Sequence, residues 1–195
     1  ILAGGRSKRV GGGFKTFSLI HKKTILEIII EKLKKNKIEI LINANENHPK
    51  FNKTELPIIV DKKKGFLGPL AGIHASIDKC INDYPNKEWV FTVPSDTPFL
   101  PENILEKFCN KIKTDSEILI ARSNNKIHPV VSMWNINLFK SIEIELNQNR
   151  RKIMTWVEKH NFTFVDFDYQ TVDPFFNVNT IEDLKIAENF NQFNA

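Results

Sequence analysis

Residues 2–15 read LAGGRSKRVGGGFK: two apolar residues, Leu2 and Ala3, run directly into a stretch holding five glycines and four basic side chains. Glycine serves where backbone must turn through positive φ or approach a ligand closely. All eight glycines of the chain lie at or before Gly72, at Gly4, Gly5, Gly11, Gly12, Gly13, Gly65, Gly68 and Gly72. The unusual backbone is therefore expected in the first third. In an α/β sheet, ligands bind beyond the carboxyl ends of the strands, which puts this loop at the ligand edge. Its successive amides can form an anion nest, and Arg6, Arg9 and Lys15 can add charge-assisted bonds to a polyphosphate. Two common nucleotide motifs fail on spacing. A Walker loop needs Gly-Lys adjacent, and Phe14 separates Gly13 from Lys15. A dinucleotide fingerprint needs a third glycine where Thr16 stands.

Strands and helices alternate from that loop to the far end. Residues 1–3 read as the end of a strand. Residues 24–35 are predicted helical, because Thr24 and Glu27 make a T-x-x-E capping box. Residues 38–43 and 56–60 are predicted strands, the second followed by Asp61. Residues 68–81 carry apolar side chains at helical spacing behind a Gly-Pro start. Residues 89–93 form a buried strand by composition, and a loop with Asp96 follows. Pro101 can open a helix that turns Ile104, Leu105 and Phe108 inward. Strands at 118–121 and 128–134 flank a polar turn at 123–126. Helices at 137–146 and 152–159, a strand at 163–167 and a helix at 181–190 capped by Thr180 complete the reading. This order predicts a Rossmann-like three-layer α/β/α fold with a mainly parallel central sheet. No linker or repeat divides the chain, so residues 1–195 are expected to form one domain.

Composition narrows the class further. Of 195 residues, 41% are hydrophobic and 26% charged, close to the globular average and unlike a disordered or coiled-coil chain. The net charge of +5 comes mostly from lysines scattered among acids, a solvated surface that suits an anionic substrate better than a nucleic-acid groove. Cys80 and Cys109 stand alone, without metal-ligand spacing or a disulfide framework. No apolar run is long enough to cross a bilayer. A cytoplasmic protein with no membrane and no nucleic-acid partner is expected. The sequence opens on Ile1 and not on methionine, so a few residues are expected ahead of it.

The LAGGxSxRxGxxK pattern resembles the signature loop of nucleotidyltransferases with a glycosyltransferase-A-like fold. Further segments follow in order: IIVDKKKGFLGPLAGIHASI (58–77), FTVPSDTPFLP (91–101), HPVVSMW (128–134), NRRKIMTWV (149–157) and FFNVNTIEDL (175–184). Together they resemble the blocks of the molybdenum cofactor guanylyltransferases, the MobA family, nearly from end to end. The resemblance implies transfer of GMP from GTP to molybdopterin, with or without its molybdenum, giving the guanine dinucleotide cofactor and pyrophosphate. It implies that Leu2, Ala3, Gly4 and Gly5 contact the nucleotide, that Lys15 reaches its phosphates, and that Asn43 and Asp61 help hold it. Asp96 matches the magnesium-binding aspartate. Asn177 and Asn179 match an NVN segment near the site, and the basic run Arg150, Arg151, Lys152 suits the phosphate of the pterin substrate. Accessory proteins of cofactor biosynthesis are possible partners. Val10 stands where methionine is frequent, and Phe14 where a polar or acidic residue is common.

These residue types suit the chemistry. Magnesium keeps several waters and needs only one or two carboxylates plus substrate phosphates, so Asp96 alone suffices on the protein's side. Nucleotidyl transfer asks the protein for positioning and charge neutralisation, which Lys15, Arg9 and the loop amides can supply to departing pyrophosphate. Plainer readings exist: Asp61 and Asp96 as turn formers, Asn43 as a cap on the sheet, Arg150 and its neighbours as a solvated helix start. His128, before Pro129, reads as structural. A cytidylyltransferase or a sugar-phosphate nucleotidyltransferase of the same fold remains open, as does a non-catalytic nucleotide- or nucleic-acid-binding regulator.

Overall fold

The computed structural model describes residues 1–4, 14–63, 68–150 and 152–190. In chain order its elements are β1 (Leu19–Ile20), β2 (Lys23–Thr24), α1 (Ile25–Lys34), β3 (Ile42–Asn43), α2 (Pro49–Asn52), β4 (Ile58–Ile59), α3 (Pro69–Asp83), β5 (Trp89–Thr92), α4 (Ile104–Cys109), β6 (Ile118–Ser123), β7 (Lys126–Asn135), α5 (Phe139–Asn147), α6 (Ile153–Val157), β8 (Phe162–Asp166) and α7 (Ile181–Phe190). Short 3-10 turns occupy Lys15–Phe17 and Ile136–Leu138.

Leu2 joins what would otherwise be separate sheets. β3 pairs parallel with β4, and β5, β7, β6 and β8 lie side by side in that order. Leu2 bridges in parallel to Asn43 on one side and to Pro94, just past β5, on the other. Backbone bonds run both ways: the amides of Leu2 and Ala3 donate to the carbonyls of Val93 and Asn43, each at 2.8 Å. The resulting order is β4, β3, segment 1–3, β5, β7, β6, β8, in which only β7 runs against the others. The parallel majority agrees with the alternation of strands and helices in the sequence.

Two apolar layers cover this sheet. One face buries Ile25, Leu26, Ile29, Ile30 and Leu33 of α1 with Ile104, Leu105 and Phe108 of α4 and Ala187 of α7. The other buries α3, α5 and α6 through residues such as Leu70, Ile73, Ile77, Ile142 and Trp156. Along β6 the strand period divides the side chains: Leu119 and Ala121 face the first layer, Ile118 and Ile120 the second. The α1 start carries the expected capping box, with Glu27 N donating to Thr24 Oγ1 and Thr24 N to Glu27 Oε2. Gly68, at φ 77°, turns the chain into Pro69 at the head of α3, a conformation that favours glycine.

Some boundaries differ from expectation. Residues 38–41 enter no ladder, and β3 is confined to Ile42–Asn43. β4 starts only after Pro57, which has no amide to donate. A hairpin of β1 and β2 was not anticipated. Its turn uses His21 and Lys22 at φ 45° and 71°, without glycine to announce it. The expected turn at 123–126 is a two-residue hairpin through Asn124 and Asn125, both at positive φ.

Candidate active site

The carboxyl ends of β3, β4, segment 1–3 and β5 deliver Asn43, Asp61, Gly4 and Asp96 to one edge of the sheet. Asp96 sits in the loop after β5, whose start is held by Ser95 N donating to Leu2 O. A second loop, 173–180, closes on it: Val178 N donates to the Asp96 carbonyl at 2.9 Å. Val178 is fully buried and anchors this loop, while Asn177 and Asn179 on either side of it turn toward polar partners. The Asn177 amide donates to Asp96 Oδ1 at 2.8 Å and to Thr97 Oγ1 at 3.1 Å. Lys15 Nζ donates to Asn179 Oδ1 at 2.7 Å. Lys15, Asp96, Asn177 and Asn179 thus share one site, although the sequence spreads them over most of its length.

Burial pushes the Asp96 carboxyl above the usual carboxylate range, and the Asn177 bond and the Lys15 charge only partly oppose it. A carboxylate left short of compensation in this way is a good position for a cation. Among the described residues, no group of three or more His, Cys, Asp or Glu side chains could hold a metal by itself. A metal at Asp96 would draw its remaining ligands from phosphate and water, which fits a hard divalent ion such as magnesium.

A second cluster lies toward β4. Asp61 accepts from Asn43 Nδ2 at Oδ1, 2.9 Å, and from Asn45 Nδ2 at Oδ2, 2.7 Å. Asn45 also takes the Asp61 amide on its Oδ1 at 2.8 Å. Asn45 was missed by sequence reading; its i, i+2 spacing from Asn43 is the signal that would have found it, since alternate residues of an extended segment share a face. Gly4 runs against this cluster, a Cβ there falling 3.2 Å from Asn45 Nδ2. Gly72 of α3 makes room from the other side: a Cβ would stand 2.4 Å from Asn43 Oδ1 and 3.1 Å from Leu2 Cδ2.

Phe14, the unusual neighbour of Lys15, packs edge-on to Phe17, His48 and Phe51, with ring centroids 5.7, 5.2 and 6.0 Å away. His48 caps α2 by accepting from Lys50 N. The turn that presents Lys15 is therefore pinned to α2 by aromatic contacts.

Arg150 lies apart from the Asp96 group in its bonding. Its guanidinium pairs with Glu145 at 3.3 Å, and Glu145 also takes Lys159 at 2.8 Å. Arg9, Gly5 and Arg151 lie outside the described residues. His128 is buried, its Nε2 2.6 Å from Ser123 Oγ, and Ser123 Oγ donates to Asp173 Oδ1 at 2.9 Å. With its single proton given to Asp173, Ser123 accepts the Nε2–H of His128. Burial, partly offset by Asp173, lowers the His128 pKa. Asp173 also accepts from Phe175 N and pairs with Lys126, so this cluster shapes the turn that leads into Asn177.

A cavity of about 430 Å³ opens at the opposite end of the strands, lined by residues such as Ile1, Leu41, Cys80, Trp89 and Met133. None of the candidate residues lines it.

Known proteins similar to this chain fall in one family and one fold. The profile of the MobA-like NTP transferase domain matches residues 1–163. A molybdenum cofactor guanylyltransferase of Nitrobacter hamburgensis is 35% identical over 96% of this chain and 91% of its own length. Another from a Shewanella species is 35% identical over 98% of this chain and 95% of its own. Among solved structures, molybdopterin-guanine dinucleotide biosynthesis protein A from Archaeoglobus fulgidus superposes with a TM-score of 0.74 at 24% identity, covering 98% of this chain and 96% of that one. A 4-diphosphocytidyl-2C-methyl-D-erythritol synthase from Anaerococcus prevotii gives 0.69 at 14%, covering 98% and 93%. These two likenesses concern the fold.

Proposed function

The chain belongs to the MobA-like NTP transferase family, and we propose that it acts as a molybdenum cofactor guanylyltransferase through the residues assembled around Lys15 and Asp96. It transfers GMP from GTP to molybdopterin, producing the guanine dinucleotide form of the cofactor and releasing pyrophosphate. Guanylyltransferase relatives matched nearly end to end favour GTP over CTP, where the cytidylyl relative shares only the fold.

The observation that carries the site assignment is the pair of contacts Lys15 to Asn179 and Asn177 to Asp96, which bring a cation and a carboxylate from distant parts of the chain to one loop. Lys15 neutralises the phosphates that leave as pyrophosphate, aided by Arg9 and the glycine loop. Asp96 would hold magnesium, which when bound would draw electron density from the phosphate oxygens. Asn177 fixes the Asp96 carboxylate, and Asn179 keeps Lys15 extended between turnovers. Leu2 to Gly5, Asn43 and Asp61 hold the nucleoside. The acceptor's phosphate attacks the α-phosphorus in line with the leaving pyrophosphate, and Arg150, Arg151, Asn177 and Asn179 are the residues we assign to the pterin substrate. Residues 1–195 work as one domain. The thiols of Cys80 and Cys109 are unpaired, in keeping with a reducing cytoplasm. Proteins that make or consume the pterin are the partners this reading favours; nucleic acid and membrane are not.

Among the described residues no helix is long and apolar enough to cross a membrane. A pyrophosphate-release assay with molybdopterin and equal GTP, CTP and UTP tests the assignment. Turnover with GTP alone supports it, and equal or greater turnover with CTP overturns it.

A further inference from the structure

Asp61 is held in a way that its own position does not require. β4 ends at Ile59, so the Asp61 amide has left the ladder, and the Asn45 side chain replaces the missing strand. The same side chain then returns a hydrogen bond to the carboxylate, closing a ring of 2.8 and 2.7 Å contacts. Asn43 occupies the other oxygen at 2.9 Å. Rotation of the carboxylate in either direction breaks one of these bonds. Asn43 is 2% exposed and cannot follow such a rotation, and Gly4 packs against both amides.

We propose that Asn45 is a positioning residue for nucleotide binding, which with Asn43 sets the Asp61 carboxylate as a rigid double acceptor for donor groups of GTP. A carboxylate has about four lone-pair sites, and the two amides use two of them. Those left over accept only, so they repel phosphate and select N–H or O–H donors. GTP offers such donors on the guanine ring and its 2-amino group, and on the ribose hydroxyls. Among the described residues no cation pairs with Asp61: the adjacent Lys62 goes to Asp78 at 2.6 Å and Lys63 to Asn147. The amides hold the charge in place without neutralising it. The inference rests on the nucleotide-side role given to Asp61 above.

Steady-state kinetics of Asn45→Ala, Asp61→Ala and the double variant test it. Asn45→Ala is expected to raise KM for GTP roughly tenfold, the loss of one hydrogen bond to a charged group, with a smaller fall in kcat. The double variant should be no worse than Asp61→Ala, because Asn45 acts only through that carboxylate. Inosine triphosphate and 2′-deoxy-GTP locate the donors. If the base is read, wild type discriminates against inosine triphosphate and Asn45→Ala does so less; if the ribose is read, the same holds for 2′-deoxy-GTP. Should Asp61→Ala raise KM while Asn45→Ala leaves it unchanged, or should the two effects add, the role of Asn45 is overturned and that of Asp61 stands. If Asp61→Ala itself leaves KM unchanged, the reading of Asp61 fails first. Equal thermal midpoints for wild type and Asn45→Ala separate positioning from a folding defect.

Discussion

Lys15 and Asn179 are 164 positions apart, yet the ammonium of one donates to the side-chain oxygen of the other at 2.7 Å. Two positions earlier, Asn177 holds Asp96 at 2.8 Å. One short loop therefore touches both Lys15 and Asp96. It can do so because fully buried Val178 locks the loop's backbone to Asp96 between them.

Lys15→Ala removes the charge that the proposed function assigns to the departing pyrophosphate. A loss of about 10² to 10³ in kcat is expected, the scale of one preorganised electrostatic contact. Its ground-state partner is an exposed amide, so the stability change stays within about 0.5 kcal/mol. Pyrophosphate release and a thermal melt on the same preparation check both halves.

Asp96→Asn separates function from stability. Burial already disfavours the ionised carboxyl, so a neutral amide relieves that cost and the nucleotide-free variant should melt higher at pH 7 than wild type. Turnover should fall by on the order of 10³ or more, since the charge we assign to holding the divalent ion is gone. Calorimetry without ligand, paired with the release assay, distinguishes this from a general unfolding effect.

Gly72→Ala sets two effects against each other. Alanine favours a helix interior over glycine by about 1 kcal/mol. Against that, its Cβ would stand 2.4 Å from Asn43 Oδ1, and crowding of this kind costs about 1–3 kcal/mol. Crowding wins, and the Asn43 amide must leave Asp61. Titration with GTP should show weakened binding that exceeds any shift in the unfolding midpoint.

His74 gives a pH test remote from the site. It is buried, stacked on Phe139 with centroids 4.5 Å apart, and its Nε2 has no partner among the described residues. Burial lowers its pKa, with Glu143 and Asp78 opposing. The folded state then binds fewer protons than the unfolded one below pH of about 6.5, so stability falls as pH drops from there through the folded value. His74→Phe keeps the stack, removes the orphan nitrogen and should flatten that acid limb in part, with His128 contributing to what remains. Melting midpoints at pH 5 and pH 8 measure it.

Local chemistry explains what the sequence revealed. The Thr24–Glu27 cap, the Gly68–Pro69 helix start and the apolar run at 118–121 each specify their own geometry, and the structure has all three. Lys15 and Asp96 stood out because a glycine loop and an aspartate behind a buried strand are themselves chemical signals. Asn45 did not, since an asparagine after a strand reads as a turn until Asp61 is seen opposite it. The β1–β2 hairpin stayed hidden because His21 and Lys22 adopt left-handed turn geometry without a glycine. The tie from Ser123 to Asp173 is a tertiary contact across 50 positions, beyond the reach of any local pattern.

A crystal structure with GTP and magnesium tests the central relationship most directly. The account predicts one triphosphate lying between the two groups, with Lys15 Nζ on its phosphates and the metal about 2.1 Å from an Asp96 oxygen. A triphosphate bound away from Lys15, or a metal held without Asp96, would contradict it.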